Sequence, residues 1–558
     1  MIVCKFGGSS LENSNSIENV KDIILKKIPD HEKIILVFSA IGKTTDQLIQ
    51  VGNIASNKNI INQEYKNELD IIIEKHYKII DELIKYENKE NLLIKLDSFV
   101  EKIKEVCLGI FYLKDFSNKN SDLLVSFGEK MSNLIMYYFL KQEIDYKRID
   151  LMNSPDYLIT DYTYGNANVI DSKTANKLKK IDINNYDIMI FPGFISKNDS
   201  NCITTLGRGG GDYTAALIGA YLNADLVEIW TDVDGIMTSD PRIVKNSLTI
   251  KNISYNEMME LSHYGANIIY TPTILPLYNK KIPMQVKNTF NPDHVGTRID
   301  FNNYNVNKIA TAISNIRDVT LIKIYGNYLI GNVGFSSNLF SLFSNNNINI
   351  IMISQSSSEH SIYVVINKKD IEVAKYQLSY SYQKQIKSND VILNFWDDKS
   401  VLAIETNNYN NITEILARIY PIFRKYHIKI YTQTNSDHNI CLILDRKFLN
   451  PIQNLVHDEV FFQKKSINVI LIGIGLVGKE LVDQINKLDN INIICIANSK
   501  KMLYDENGIE LDNISEKLDE GKEYHLDEII NMSIDCKLFN KVFVDCTSSE
   551  LIYDKYKK

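Results

Sequence analysis

Short apolar runs alternate with amphipathic stretches through residues 1–300. The clearest runs are Met1–Phe6, Ile34–Ser39, Ile188–Phe191 and Leu226–Trp230. This alternation predicts an α/β fold, a largely parallel, doubly wound sheet with helices on both faces. Residues 55–120 interrupt it, because they are charged, apolar at helical spacing and free of proline, with Gly109 as their one glycine. We therefore predict a helical insertion at 55–120 within a first domain that spans 1–300.

Two later stretches repeat one pattern of strand, helix, strand and strand. The first copy, in residues 310–380, carries NLFSLF from Asn338 and QSSSEHSI from Gln355. The second, in residues 395–450, carries RIYPIF from Arg418 and QTNSDHNI from Gln433. Two copies of one βαββ unit predict a pair of small domains packed together.

A further strand pattern, Ile467–Ile472, leads into GIGLVG at Gly473. A glycine-rich turn between a strand and a helix is typical of dinucleotide-binding domains. Gly473 would permit the tight turn, Gly475 the approach of a pyrophosphate, and Gly478 close helix packing. We expect residues 466–558 to form a partial Rossmann domain.

The second strand of that unit ends in Ala497-Asn-Ser-Lys-Lys and not in an acidic residue. A hydroxyl and a lysine at this place favour a 2′-phosphate over a 2′-hydroxyl, so NADP is the expected cofactor. The predicted cofactor-binding residues are Gly473, Gly475, Leu476, Val477, Gly478, Ala497, Ser499, Lys500 and Thr547.

The composition and charge of the chain limit the classes of protein to which it can belong. A hydrophobic fraction of 44%, a charged fraction of 23% and a formal charge of -7 are ordinary for a globular protein and argue against a nucleic-acid partner. No apolar run is long enough to span a membrane, and the N-terminus lacks the features of a signal peptide. Seven scattered cysteines, with no CxxC pair, predict a reduced cytoplasmic protein with no metal site.

Four segments of the first domain combine glycines with charged or hydroxyl side chains. They are KFGGSS at Lys5, FSAIGKTT with Ser39 and Thr45, SFGEKMS with Glu129, and TTLGRGGGDYTAA with Arg208 and Asp212. Glycine-rich turns before a helix let backbone N–H groups surround phosphoryl oxygens, and an arginine can grip a carboxylate with two hydrogen bonds. Taken singly, the segments also fit a strand-ending turn, a capped helix start or a surface linker.

A fifth segment, EIWTDVDGIMTSDPR at 228–242, follows another apolar strand. Its carboxylates and hydroxyls could bind a ribose, a base edge or Mg²⁺-ATP. The DxDG spacing does not continue into the ligand series of a calcium loop. Because phosphoryl transfer depends on positioning and charge neutralisation, the five segments together predict a kinase.

These segments resemble the amino acid kinase family and, within it, aspartate kinases, with Gly211 where serine is usual. The resemblance implies transfer of the ATP γ-phosphate to the β-carboxylate of L-aspartate, with Mg²⁺. It implies that Lys5 stabilises the transferring phosphate and that Asp212 organises this catalytic lysine. It assigns aspartate binding to Ser39, Thr45, Glu129 and Arg208, and ATP binding to Lys5, Gly7, Gly8, Ser10, Thr231, Asp232, Arg242 and Lys287.

The repeat resembles paired ACT domains, which sense amino acids, and the second copy departs further from the family pattern. The resemblance implies a threonine or lysine effector, a homo-oligomer, and regulatory roles for Gln355, Ser358, Glu359 and Gln433. A packing module that binds nothing is the alternative.

The C-terminal region resembles the start of homoserine dehydrogenase, and we expect no dehydrogenase activity from the sequence as it stands. Three other interpretations remain open. The sequence could be a fragment of a full bifunctional aspartokinase/homoserine dehydrogenase. It could be a family member that acts on glutamate or a nucleotide, or a non-catalytic sensor of amino acids or NADP.

Overall fold

The computed structural model describes residues 1–57, 64–263, 269–302, 309–356, 360–406, 408, 410–462, 467–488, 491–536, 538 and 540–548. The chain divides into two compact units, one of residues 1–238 and 248–307 and one of residues 239–247 and 308–558. None of the helices in these described ranges has the length and apolar content of a membrane-spanning segment.

The first unit is an α/β structure. Its strands are β1 (Ile2–Phe6), β2 (Ile34–Phe38), β3 (Ile149–Leu151), β4 (Ile159–Thr160), β5 (Ile188–Pro192), β6 (Ile195–Asn198), β7 (Ile203–Thr205), β8 (Leu226–Thr231), β9 (Asn252–Ser254), β10 (Met284–Asn288) and β11 (Thr297–Asp300). Its helices are α1 (Ser14–Lys27), α2 (Thr44–Ser56), α3 (Tyr65–Leu83), α4 (Tyr86–Leu113), α5 (Asn118–Glu143), α6 (Asp171–Leu178), α7 (Gly210–Leu222), α8 (Tyr255–His263) and α9 (Ile274–Lys280).

The main sheet has the strand order β3-β5-β2-β1-β8-β10-β11-β9. Its strands from β3 to β10 are parallel, which confirms the predicted parallel sheet. The central strands are buried on both faces and therefore read as continuous apolar runs in the sequence. Helices α3 and α4 lie in the segment predicted to be helical, and their apolar residues join the same core as β1 and β2.

The second unit begins with a six-stranded antiparallel sheet of order β13-β14-β12-β15-β17-β16. Its strands are β12 (Ala312–Tyr325), β13 (Ile350–Gln355), β14 (Ser361–Asn367), β15 (Ile392–Glu405), β16 (Thr432–Asn435) and β17 (Asn439–Asp445), and its helices are α10 (Phe335–Asn345), α11 (Ile371–Ser381), α12 (Gln383–Lys387), α13 (Asn410–Lys425) and α14 (Leu449–Phe461). Each half has the predicted strand, helix, strand, strand order. A further helix, α11 or α14, closes each half and was absent from the sequence interpretation.

The same unit ends in a five-stranded sheet of order β21-β20-β19-β18-β22. Its elements are β18 (Ile467–Ile472), α15 (Leu476–Ile485), β19 (Ile491–Ala497), β20 (Lys501–Tyr504), α16 (Ile514–Asp519), β21 (Lys522–Glu523), α17 (Leu526–Asp535) and β22 (Lys541–Asp545). Strands β19, β18 and β22 are parallel, as in half of a dinucleotide-binding sheet.

Candidate active site

The carboxyl ends of β2, β1 and β8 lie side by side in the main sheet of the first unit. Lys5 is the penultimate residue of β1, and Ser39 follows β2, where its backbone N–H donates to the carbonyl of Phe6 at 3.2 Å. Ligands of open α/β sheets bind at this edge. The fold therefore places the lysine and the serine hydroxyl at the edge where a substrate is expected.

The loop after β1 packs directly on the loop after β2. The N–H of Gly42 donates to the carbonyl of Gly8 at 2.9 Å, and a Cβ on Gly8 would lie 2.4 Å from the Gly42 oxygen. Any side chain at position 8 would therefore separate the two loops. Close contact between the two backbones therefore requires glycine at position 8.

Lys5 and Asp212 form the central ion pair of the site. Lys5 Nζ lies 2.6 Å from Asp212 Oδ1, and the two side chains are 12% and 11% exposed. Asp212 lies in the first turn of α7, where a carboxylate interacts favourably with the helix dipole. The pair holds an ammonium group beside the N-terminus of a helix, an arrangement suited to binding a phosphoryl group.

Gly211 lies against both Ser39 and Lys5. A Cβ at this position would be 3.0 Å from Ser39 Oγ and 3.2 Å from Lys5 Cε. The first turn of α7 therefore approaches these two side chains as closely as a glycine allows. Gly211, which stands where the sequence resemblance leads us to expect serine, therefore lies within the site itself.

Arg208 stands on a loop shaped by two glycines in the left-handed region, Gly207 (φ 74°) and Gly209 (φ 75°). Its side chain is exposed, and it forms no ion pair within the described part of the chain. A planar guanidinium with free N–H groups can bind a carboxylate through two parallel hydrogen bonds.

Glu129 is a buried carboxyl group on α5, with only 3% of the residue exposed. Its Oε1 accepts a hydrogen bond from the N–H of Ala40 at 3.4 Å, and Oε2 has no partner among the described residues. Burial raises the pKa of the Glu129 carboxyl to about 8, against the lowering effect of the Ala40 N–H. Thr45 is half-buried in the first turn of the neighbouring helix α2.

Three predicted nucleotide contacts lie on two adjacent strands. Thr231 ends β8 and Asp232 follows it, while Lys287 on β10 is in register with Trp230. Lys287 Nζ lies 5.2 Å from the centre of the Trp230 ring, and burial lowers the pKa of this lysine. These groups therefore lie together at one edge of the sheet.

Two other predicted ATP contacts have partners in the protein. Ser10 is buried, and its hydroxyl lies 2.7 Å from the hydroxyl of Thr289. Arg242 lies in the stretch 239–247, which clusters with the second unit, and it forms an ion pair of 2.8 Å with Asp240. The structure thus gives Arg242 a local partner, and its role toward ATP stays a prediction.

Two buried carboxylates support the site: Asp122, which was missed in the sequence, and Glu228, which lies in the fifth segment but had no role of its own. Asp122 on α5 accepts hydrogen bonds from the N–H and hydroxyl of Thr205, at the start of the Arg208 loop. Glu228 on β8 forms an ion pair of 2.5 Å with Lys27 and accepts the Trp230 indole N–H at 2.9 Å. A carboxylate inside an apolar strand was a visible signal for Glu228, whereas Asp122 gave none.

The glycine-rich turn at 473–478 brings Gly478 into close contact with Gly473. Gly473 has φ 94°, and a Cβ on Gly478 would lie 2.0 Å from the Gly473 oxygen. A Cβ on Gly475 would meet no atom within 4 Å, which leaves space above the turn. Leu476 and Val477 are 93% and 70% exposed.

The remaining predicted cofactor residues lie at the ends of the neighbouring strands. Ala497 ends β19 and is buried, while Ser499 and Lys500 are exposed in the following turn. That turn is closed by Asn498 Oδ1, which accepts the Lys500 N–H at 2.7 Å. Thr547 follows β22, and its N–H donates to Asp545 at 2.7 Å.

The predicted regulatory residues are only partly described. Gln355 is exposed at the end of β13, and Ser358 and Glu359 lie outside the described residues. On β16, Gln433 Oε1 accepts the Tyr420 hydroxyl at 2.5 Å, so this side chain already has a partner within its own half.

A scan against protein-family models matches residues 1–288 to the amino acid kinase family and residues 322–381 to the ACT domain. A bifunctional aspartokinase/homoserine dehydrogenase of Buchnera aphidicola is 32% identical, and the match covers 100% of this chain and 69% of the relative. Aspartokinase 1 of Arabidopsis thaliana is 28% identical over 84% of this chain and 82% of the relative.

Solved structures show the same fold. Escherichia coli aspartokinase III in complex with aspartate and ADP has a TM-score of 0.69 at 23% identity, and covers 83% of this chain and 100% of its own. The aspartate kinase of Clostridium acetobutylicum has a TM-score of 0.66 at 24% identity, over 82% of this chain and 100% of its own.

Proposed function

The chain belongs to the amino acid kinase family, and we propose that it is an aspartate kinase that transfers the γ-phosphate of ATP to the β-carboxylate of aspartate. Two relatives that match this chain over its full length are bifunctional aspartokinase/homoserine dehydrogenases. The observation that carries the proposal is the Lys5–Asp212 ion pair at the N-terminus of α7, with Arg208, which has no ion-pair partner among the described residues, in the preceding loop.

In the proposed reaction, a β-carboxylate oxygen of aspartate attacks the γ-phosphorus, and the bond to the β,γ-bridging oxygen breaks to release ADP. Lys5 and the positive end of the α7 helix dipole neutralise charge on the transferring group, and Asp212 fixes the position of the Lys5 ammonium. Neither step needs a covalent intermediate with the protein.

Aspartate recognition would use groups of both charges. Arg208 offers a two-pronged partner for a carboxylate, and Glu129, once ionised, a partner for the substrate ammonium. Ser39 and Thr45 would add hydroxyl hydrogen bonds. A substrate with one carboxylate to bind and one to phosphorylate fits this set.

ATP would bind along the ends of β1, β8 and β10. The candidates at these ends are Lys5, Gly7, Gly8, Ser10, Thr231, Asp232 and Lys287. No group of three or more His, Cys, Asp or Glu among the described residues could hold a metal ion. Mg²⁺ bound to the ATP phosphates, with Asp232 as a candidate protein ligand, would supply further charge neutralisation.

Feedback by an amino acid is the proposed role of the paired ACT domains. The family model covers 322–381 in the first half, where Gly331 and Gly334 are both in the left-handed region and Val333 between them is 99% exposed. Threonine or lysine is the proposed effector, and a homo-oligomer the proposed assembly.

A second candidate function, NADP binding, is supported by the turn at 473–478. The open space above Gly475 and the close approach of Gly478 to Gly473 are the backbone features that such a cofactor needs. The bifunctional relatives extend beyond the matched region, so dehydrogenase activity is not part of the proposal.

Capture of the acyl phosphate with hydroxylamine tests the kinase proposal. We expect a hydroxamate from ATP and aspartate, and at least tenfold less from ATP and glutamate. Hydroxamate from glutamate alone would instead select another member of the family.

A further inference from the structure

A cavity of about 570 Å³ lies in the first unit, and neither Lys5 nor Asp212 lines it. Its wall is formed by α4, α5 and the segments around β3 and β7. The apolar part of the wall includes Phe99, Leu123, Phe127, Leu134, Leu151 and Ile203. A cavity of this size and lining is large enough for a small organic molecule.

The charged groups of the cavity are mostly cationic. Lys102, Lys130 and Lys197 line it together with one carboxylate, Asp156. Lys197 and Asp156 neutralise each other in an ion pair of 2.8 Å. Two lysines therefore remain for an occupant, in a chain whose overall charge is -7.

Lys130 is the more enclosed of these two lysines. Its Nζ donates to Ser126 Oγ at 3.0 Å and lies 4.7 Å from the centre of the Phe127 ring. Burial lowers the pKa of Lys130 to about 8, with nearby Lys102 as a second cause. Across the described ranges it has no carboxylate within ion-pair distance, although a half-buried ammonium is costly without one.

Asn133, one turn along α5, adds a polar group to the wall. Its Nδ2 donates to the carbonyls of Phe38 and Glu129 at 3.0 and 2.8 Å, which fixes the orientation of the amide. Its Oδ1 is buried and has no partner in the described structure. An occupant that carries a hydroxyl or amino group could donate to it.

We propose that this cavity is a second ligand site of the kinase unit, which takes a small organic anion with an aromatic or branched apolar body. The anionic end pairs with Lys130 and Lys102, and the body packs on Phe99, Phe127 and Leu151. The site differs from the aspartate site, because Glu129, next to Lys130 on α5, turns toward Ala40.

The test uses two fluorescent probes of similar shape and different charge. 8-Anilinonaphthalene-1-sulfonate is an aromatic anion, and N-phenyl-1-naphthylamine is its neutral counterpart. We expect saturable binding of the anion to the full chain that saturating ATP, aspartate and NADP⁺ do not displace. Displacement by those ligands, or no saturable binding, would overturn the proposal.

Three variants locate the probe. Lys130→Met should weaken binding of the anion by about tenfold or more, because a charged hydrogen bond is lost, and should leave binding of the neutral probe unchanged. Lys141→Met, an exposed lysine on the same helix outside the cavity, is the control and should change neither. Equal affinity for the anion in Lys130→Met and the wild type would contradict the assignment.

Lys102→Met decides the question if Lys130→Met does not fold. Lys102 is exposed on α4, so its replacement leaves the core intact. A loss of affinity of about threefold or more is expected for the anion, and unchanged affinity would count against the site.

Discussion

The chain contains two glycine-rich turns, one at 207–211 and one at 473–478, that use glycine for similar backbone reasons and present different chemistry. In the first, Gly211 brings the start of α7 against Lys5 and Ser39, and charged side chains surround it. In the second, Gly478 packs on Gly473, and the residues beside the turn are exposed and apolar. Similar glycine geometry therefore occurs beside charged side chains in one turn and beside apolar side chains in the other, and the side chains determine which chemistry each turn can support.

The largest effect on kcat is expected when the ammonium group of Lys5, beside the turn at 207–211, is removed. Lys5→Met should lower kcat by about a hundredfold to a thousandfold, because a fixed charge at the transferring phosphoryl group is lost. Steady-state kinetics at saturating ATP and aspartate measures this. Lys26→Met, an exposed lysine of the same unit, is the control and should keep kcat within twofold.

A loss of less than threefold in Lys5→Met, with the control unchanged, would mean that the Lys5–Asp212 pair is structural. The turn at 207–211 would then resemble the turn at 473–478, because neither would have a charged group that takes part in the reaction.

The next largest effect is expected in the KM for aspartate when the planar guanidinium of Arg208 is replaced. Arg208→Lys keeps the positive charge and removes the planar fork, so the KM for aspartate should rise by about tenfold to a hundredfold, with a smaller change in kcat. Arg148→Lys is the matched control, since Arg148 is also exposed but pairs with Asp187. An unchanged KM for aspartate in Arg208→Lys would remove the arginine from the substrate site.

A pH profile tests the role assigned to Glu129. Its pKa of about 8 means that it is mostly protonated at pH 6.5 and mostly ionised at pH 8.5. If the ionised form pairs with the substrate ammonium, the KM for aspartate should fall by about tenfold over this range. Glu129→Gln should flatten the profile, and an equally steep profile in that variant would contradict the assignment.

The smallest effect on kinase turnover is expected at the second turn. Gly475→Ala meets no atom within 4 Å, whereas Gly478→Ala would place its Cβ 2.0 Å from the Gly473 oxygen. Gly478→Ala should therefore expose the C-terminal sheet to proteolysis and Gly475→Ala should not, and both should keep kcat within twofold. Limited proteolysis beside the kinase assay measures this, and a large loss of kcat in Gly478→Ala would show that the two regions are coupled.

The sequence predicted the parts of the fold that follow from periodicity. The buried strands of the first unit appeared as apolar runs because parallel strands are covered on both faces. The repeat of the second unit was recognised, but its closing helices were not. The buried positions Ile371, Ala374 and Leu378 of α11 do have helical spacing, so that signal was present.

Residues of the candidate site that lie in sequence motifs were predicted, whereas a single buried side chain outside any motif was missed. Lys5, Ser39, Asp212 and Gly211 are brought together in space, but their distances could not be read from the chain because they depend on how β1, β2 and α7 meet. Asp122 is one carboxylate on a long helix, and only the fold shows that it holds Thr205.

Isotope labelling of the oxygen that attacks phosphorus tests directly whether aspartate accepts the phosphoryl group. Aspartate labelled with ¹⁸O in its β-carboxylate is incubated with ATP and the full chain, and the product is cleaved with hydroxylamine, which attacks the carbonyl carbon and releases phosphate. We expect this phosphate to carry one ¹⁸O atom, because the carboxylate oxygen became the bridge to phosphorus. Unlabelled phosphate, formed together with ADP, would show that water and not aspartate accepts the phosphoryl group, and that the chain is not an aspartate kinase.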